Sequence, residues 1–488
     1  MEEQKPLQGT PTPPARVIDP RQANRVLLIL TGVALLVNYV ETMVIPGVPT
    51  IQKDLATTAT IASWITSAYL IVGSAISPLF GKLGDVYGKK RMFLVSLVFY
   101  MAGVGLAGFS PSIYFLIFAR ALQGVGFAII PLGLAIITDV FPRERVAVAQ
   151  GIISGTFAIG AALGLIIGSY VVQDLGWPYA FHTALVLSLI LFAISARVLL
   201  KDIVTAVKKR IDYAGAAILM AGITLVLLYV TEGPSLGWLS AEEVTFLIPG
   251  AALTFLFFVV ENKIDNPLMR LGLLRIRNVL VANLVGLVAG TVMFMLFFAS
   301  VYYSQLPIGF GLNLDVVAAG LTLAPSTIGM FLGGLVSGRL IPRVGPKPVL
   351  VAGSSLMALG LVLFMVNRST STFLALDMFV TLSGLIGILV PIVNMLAISL
   401  PRESVAVGLG MNTMLRNLGG AIGPVVATTI MASYTTVVTL PNHVVTAFPD
   451  STAFTIIFSV GIVLALLTLV ISLATKNYTF PKAPPKPV

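Results

Sequence analysis

The chain has 488 residues, 57% of them hydrophobic and only 10% charged, where a soluble globular protein carries roughly 25% charged residues; mean hydropathy is +0.99. A surface so poor in charge does not face water, so the composition indicates an integral membrane protein. With Cys at 0, disulfide scaffolds and thiolate metal sites are excluded; with His at 2, a histidine-rich metal centre is not expected, nor is a cofactor.

Residues 1–25 are polar and Pro-rich and carry both signs of charge, which reads as a disordered arm and not as a cleaved signal peptide. A membrane helix needs about 20 mostly apolar residues to cross roughly 30 Å of hydrocarbon. Such stretches follow at 26–50, 62–82, 92–109, 112–138, 147–173, 178–200, 213–231, 244–260, 278–303, 316–340, 348–366, 371–400, 405–434 and 452–475. That is fourteen spans, all helical because lipid offers backbone groups no partner outside the helix. The eighth is the weakest, interrupted by Pro249 and Gly250. Between spans 8 and 9, Leu271-Gly272-Leu273-Leu274 with Arg270, Arg275 and Arg277 reads as a short amphipathic helix on the membrane surface.

Lys and Arg set the orientation. With the N-terminus inside, the cytoplasmic segments hold Lys89, Lys90, Arg91, Arg143, Arg145, Lys201, Lys208, Lys209, Arg210, Lys263, Arg343 and Lys347 among others. The outer loops hold Lys53 and Arg368, and Arg120 and Arg416 fall deep within spans. Both termini are therefore expected in the cytoplasm of a multi-pass plasma-membrane protein, and the net charge of +10 is a leaflet preference that needs no nucleic acid.

The chain repeats itself. Pro142-Arg143-Glu144 and Val146-Ala147-Val148 return as Pro401-Arg402-Glu403 and Val405-Ala406-Val407, and Gly151, Gly160 and Gly164 as Gly410, Gly419 and Gly423. Gly81, Leu83, Gly88 and Lys90 return as Gly338, Leu340, Gly345 and Lys347; Gly124 and Pro131 return as Gly384 and Pro391. Near-constant spacing means two homologous halves of six spans with spans 7 and 8 inserted between them. The expected division is an arm (1–25), an N-terminal six-helix bundle (26–200), linkers with the inserted hairpin (201–275), a C-terminal six-helix bundle (276–475) and a tail (476–488). Parallel repeats of six suit a rocking transporter with its site near the midplane.

Residues 81–91, G-K-L-G-D-V-Y-G-K-K-R, resemble the loop signature between spans 2 and 3 of the major facilitator superfamily. Residues 120–128, R-A-L-Q-G-V-G-F-A, are similar to its span-4 proton-coupling motif, and 160–168, G-A-A-L-G-L-I-I-G, to its span-5 antiporter motif. With fourteen spans, the chain resembles the fourteen-helix drug:proton antiporters, a multidrug-efflux family. The resemblance implies an all-α membrane fold of two six-helix bundles related by pseudo-two-fold symmetry plus two inserted helices. It also implies a monomer whose partners are protons, membrane lipids and a small-molecule substrate. Two positions depart from the family: Leu165 stands where the antiporter motif has Pro, and Val40 where span 1 has its Asp, with Glu41 one residue on.

Glu41 is the sharpest candidate. It lies within span 1, and low dielectric disfavours a charged carboxyl, so it is either a proton carrier facing a cavity or a Glu held by hydrogen bonds at a helix break before Pro46 and Pro49. Arg120, at comparable depth in span 4, is expected to pair with it directly or through water, with Gln123 one turn along; the alternative is a structural arginine satisfied by carbonyls. Asp377 is a second protonation or cation-recognition candidate or else an interfacial anchor, and a pair with Arg416 is conceivable from the sequence. Asp85, Lys89 and Arg91, with Gly81 and Gly88 permitting a tight turn, form the gating loop; Pro342 replaces the Asp in the second half. Gly160, Gly164 and Gly168, with Gly151 and Gly155, allow close helix approach, to which the family adds a role against leak. By the family's architecture Asn38, Tyr39, Met293, Phe294, Phe297, Phe298, Tyr302 and Asn394 line the binding cavity, where Met and aromatic rings suit bulky apolar or cationic molecules; any buried helix is rich in the same residues. His182 and His443 are read as solvated or capping groups.

No G-x-x-x-x-G-K-[ST] pattern is present, so an ATP-driven pump is disfavoured and coupling falls to an ion gradient. No paired carboxylates or activated nucleophile point to an enzyme. The expected function is proton-coupled export of hydrophobic and/or cationic small molecules; the alternatives are a lipid or metabolite exporter on the same fold and a transporter-shaped sensor.

Overall fold

The computed structural model describes residues 19–199, 212–264, 267–401, 404–439 and 445–478. In the first half, α1 (Pro20–Met43), a 3-10 turn (Ile45–Gly47) and α2 (Val48–Asp54) make one crossing. α3 (Ala59–Tyr87) and α4 (Lys89–Gly108) follow; α5 (Ile113–Gly124), a 3-10 turn (Val125–Ala128) and α6 (Ile129–Val140) make another crossing; α7 (Arg143–Asp174) and α8 (Trp177–Val198) complete the six. α9 (Tyr213–Leu236) and α10 (Ala241–Glu261) form the inserted hairpin. The second half comprises α11 (Arg277–Gln305), α12 (Val316–Leu323) continued by α13 (Pro325–Val344), α14 (Pro346–Val366), α15 (Ser371–Ser399), α16 (Val405–Ser433) and α17 (Ser451–Leu473). Between α16 and α17, strands β1 (Thr435–Thr439) and β2 (Val445–Pro449) pair antiparallel, Thr435 opposite Pro449.

Among the described residues, thirteen helical segments are long and apolar enough to cross a membrane. α16 is the fourteenth long helix; Asn412, Arg416 and Asn417 and its glycines lower its hydropathy, and protein surrounds it. The first crossing runs from Pro20 to Asp54, longer than the apolar stretch, because the Asp19 side chain caps α1 on Arg21 N and Pro46 bends the helix without ending it. Residues 20–25 are thus helical and not part of the arm; residues 1–18, 200–211 and 479–488 lie outside the described residues. α10 passes unbroken through Pro249, as lipid-embedded helices permit. Leu271–Arg275 is one short 3-10 helix whose Leu271, Leu273 and Leu274 pack on the core, not a lipid-facing anchor.

Both halves pack alike. The first crossing lies on α7 and α8, α3 on α5, and α4 on α5 and α8; at the repeated positions α11 lies on α16 and α17, α13 on α15, and α14 on α15 and α17. Across the seam, α3 meets α16 while α7 meets α12 and α13. Span 2 against 13 and span 5 against 10 is the exchange a pseudo-two-fold axis produces. The duplication extends to atoms. Gly88 and Gly345 both turn the chain at positive φ, +103° and +84°. Just beyond, Lys90 Nζ donates to the carbonyls of Ala196 and Leu199 at the end of α8 (3.0 and 2.6 Å), and Lys347 Nζ to that of Leu473 at the end of α17 (2.8 Å). Each lysine neutralises the carbonyl-rich end of the last helix of its own half.

At the face remote from the chain ends, Thr58, Ser112, Ser240, Asp315, Thr370 and Asp450 cap the N-termini of the returning helices by accepting backbone N–H groups, each worth about 1 kcal/mol. The hairpin breaks the symmetry. It lies on the α3–α16 seam, with the Trp64 indole N–H donating to Thr231 Oγ1 (3.0 Å) and Thr429 Oγ1 to the Val230 carbonyl (3.0 Å).

Candidate functional site

Glu41 sits two residues before the end of α1, where the helix yields to the Ile45–Gly47 turn. Thr42 holds this break, its hydroxyl directed at the carbonyls of Asn38, Tyr39 and Ala161 at 3.2–3.3 Å. Glu41 itself is 7% exposed and, among the described residues, no hydrogen bond holds its carboxyl.

It lines a narrow crevice on the seam with room for about one water molecule. Glu41, Thr42, Phe157 and Ala161 come from the first half, and Met293, Phe294, Phe297 and Met330 from the second. Glu41 is the only ionisable group on that wall. Of the residues expected in the cavity, Met293, Phe294 and Phe297 are there. Asn38 instead binds the Ala34 carbonyl and Thr156 Oγ1 (2.7 and 3.3 Å), and Tyr39 is buried beside it. Phe298 is core, Asn394 Nδ2 donates to its own helix at Val390 (3.0 Å), and Tyr302 reaches Gln52. Phe157, Ala161 and Met330 were not legible as lining residues, since nothing in their local pattern separates a cavity face from a packed one.

Arg120 is fully buried. Its Nε donates to the Ile65 carbonyl (3.0 Å), Nη1 to Gln123 Oε1 (2.7 Å), and the guanidinium lies over the Tyr69 ring at 4.3 Å. Nη2 has no protein partner. Neither the expected Glu41–Arg120 ion pair nor a Glu41–Arg416 pair forms within 4.0 Å, yet both guanidinium charges act on the Glu41 carboxyl, Arg416 more than Arg120. No ion pair joins Arg416 to Asp377. Asp377 is 2% exposed, its Oδ2 without a protein partner. His182 is half-buried: it lies between the Phe109 and Tyr179 rings with Nε2 buried and, among the described residues, unpartnered. His443 lies outside the described residues.

In the 81–91 loop, Lys89 turns to Asp139 at the end of α6 (2.7 Å), tying span 3 to span 4, while Lys90 caps α8. Asp85 and Arg91 are exposed. Gly81 faces open space, so of Gly81 and Gly88 only Gly88 is required by backbone geometry.

The glycine motif of α7 is a packing groove. A Cβ at Gly160 would press on Asn38 and the Leu35 carbonyl, at Gly164 on Thr42 and Tyr39, and at Gly168 on Met43. α7 therefore lies backbone to backbone against α1, on the turns that carry Glu41. Gly419 and Gly423 bring α16 onto Leu287, Thr291 and Met295 of α11 in the same way. Gly151 and Gly155 have nothing within 4 Å and take no part.

Residues 30–424 match the family model described as Major Facilitator Superfamily. The chain is 27% identical to the multidrug transporter protein MdtP of Bacillus subtilis over 83% of this chain and 74% of that one. It is 28% identical to the tetracenomycin C resistance and export protein of Streptomyces glaucescens over 87% and 79%. Its fold is similar to the crystal structure of the nucleoside transporter NupG, with TM-score 0.63 at 15% identity over 91% of this chain and 99% of that one.

Proposed function

We propose that this chain, which belongs to the major facilitator superfamily, is a proton-coupled antiporter that exports hydrophobic and/or cationic small molecules by alternating access. One observation carries the reading: a single carboxyl, Glu41, on the wall of an otherwise apolar, aromatic and Met-rich cavity between the two halves. Rings and thioethers accept bulky substrates without fixed hydrogen-bond geometry, and the carboxylate attracts either a proton or a cationic headgroup. The two arginine charges acting on it compete with both, so Glu41 passes between a proton, a substrate cation and its guanidinium neighbours as the halves move. With so little space for even a water-sized sphere, the cavity must widen before cargo of drug size enters. The relatives named for multidrug transport and for antibiotic export favour efflux. The excess of Lys and Arg in the loops on the face of the chain termini favours the plasma membrane with both termini in the cytoplasm; protons, lipid and the substrate are then its partners, and a monomer suffices.

The test is ethidium efflux from cells with and without a protonophore, wild type against Glu41→Gln expressed at equal level. A protonophore should abolish wild-type efflux, and the variant should lose gradient-driven transport. Undiminished efflux in Glu41→Gln, indifferent to the gradient, overturns the assignment.

A further inference from the structure

A second carboxyl site lies away from the cavity, at the base of the inserted hairpin. Asp212 precedes α9 and Glu261 closes α10; they are 5% and 2% exposed. Asp212 Oδ1 accepts the Gly215 N–H (2.7 Å). Glu261 Oε1 accepts the Leu268 N–H (3.2 Å) and Oε2 the Met269 N–H (2.9 Å), so a strap of backbone between α10 and α11 hangs on this one side chain. Among the described residues, Asp212 Oδ2 is buried with no donor to accept from, and the Asp212 side chain meets Glu261. A methyl group on Gly215 would strike both carboxyls, which places them at one point.

Four carboxyl oxygens and three N–H donors leave the cluster one hydrogen short. Two buried carboxylates in contact do not both stay ionised; one proton shared between them removes the repulsion and supplies the missing donor. We propose that Asp212 and Glu261 bind one proton between them and that this proton clasps the strap to the hairpin base. The shared proton lies between Asp212 Oδ2, which accepts no hydrogen bond, and Glu261, whose two oxygens already accept the strap N–H groups. The charge acting most on Glu261 is that of Asp212. Of the other charged or titratable groups on the elements around it, Tyr213, Lys263, Arg270, Arg275, Arg277 and Asp85 are exposed, and Arg416 of α16 acts on Glu41. Lys82 of α3 donates to the Pro267 carbonyl (2.8 Å), so the strap also touches the end of α3, beside the 81–91 loop. Protonation keeps hairpin, strap and α3 joined; loss of the proton sets two negative charges against each other and frees the strap. The site thus makes hairpin attachment sensitive to pH at the face of the chain termini, independently of what the cavity carries.

The chain has no Cys, so Met269→Cys places one thiol in the strap where Met269 is 1% exposed. Its maleimide labelling in the reconstituted full chain is measured at pH 6 and pH 9, each rate divided by that of the unfolded chain at the same pH to cancel thiol ionisation. The normalised rate should rise about fivefold or more at the higher pH as the clasp deprotonates. Adding Asp212→Asn, whose amide supplies the donor at every pH and still caps Gly215, should hold the rate low and flat. Adding Glu261→Gln, which cannot accept both strap N–H groups, should give fast labelling at both. A flat, low profile with Asp212 present overturns the proposal, as does an undiminished rise in the Asp212→Asn chain.

Discussion

Tyr302 and Gln52 lie 250 positions apart in the chain and are joined by a 2.7 Å hydrogen bond from the phenol to Gln52 Oε1. The contact crosses from the second half to the first at the face remote from the chain ends. Two more follow it: Gln305 Nε2 donates to the Pro46 carbonyl (2.8 Å), which the broken helix exposes, and the Val317 N–H donates to Gln173 Oε1 (2.9 Å). The halves are thus pinned together at this face, above Glu41.

Tyr302→Phe removes the first pin and keeps the ring. A hydrogen bond of this kind contributes about 0.5–1.5 kcal/mol, so the population open at the remote face should rise by up to roughly tenfold. Distances between spin labels placed on the two halves at that face measure it. Unchanged distance distributions would show that closure rests on packing alone.

The glycines of α7 should separate by sign. Gly164→Ala forces α7 off the backbone of α1, costs about 1–3 kcal/mol and lowers both melting temperature and transport. Gly151→Ala meets nothing and gains helix propensity, about 0.5–1 kcal/mol in favour of the fold. Thermal unfolding in one detergent compares them, and equal shifts would mean that the groove is not under compression.

Gly88 and Gly345 should behave as a pair. Alanine at either faces a backbone conformation that costs about 1–3 kcal/mol, whereas Gly81→Ala should be nearly neutral. If Gly81→Ala and Gly88→Ala destabilise alike, the positive φ is not what fixes the loop.

Arg120→Lys should fail to replace arginine. A lysine offers one compact charge where the guanidinium serves the Ile65 carbonyl, Gln123 and the Tyr69 ring together, so gradient-driven efflux should fall by about tenfold or more. Tyr69→Phe keeps the ring face under the guanidinium and should be close to wild type, while Tyr69→Leu should lose about 0.5–2 kcal/mol of thermal stability. Efflux assays with melting curves separate the two effects, and wild-type efflux in Arg120→Lys would remove the fork from the mechanism.

The spans, the duplication and the inserted hairpin were legible in the sequence because each rests on local chemistry: apolar length, glycine spacing and the repeated Gly-Lys turn. Glu41 was legible as an isolated acid in an apolar run. What stayed hidden depends on helix azimuth and register between distant segments. Lys89 has carboxyl and carbonyl partners open to it along the loop, and only the docking of α4 on α6 selects Asp139. Arg416 is spaced like any buried polar residue, and only the packing of the helices lets its charge act on Glu41. The hydrogen bond of Tyr302 depends on the bend at Pro46, whose angle no residue pattern encodes. The leucines of the 3-10 helix at Leu271 were expected on lipid and pack on the core, because leucine suits both equally.

The hairpin on the α3–α16 seam gives the molecule two unlike flanks. A lipid-soluble compound drifting in the bilayer meets α9 and α10 as a screen on one side, while on the other α7 and α12–α13 abut with no inserted helix between them and the acyl chains. Among the described residues, this second flank is the one left without an inserted helix for cargo arriving sideways rather than from water. A photoreactive lipophile should mark α7 and α13 well before it marks α3 or α16, and equal marking of both flanks would show that the screen is no barrier.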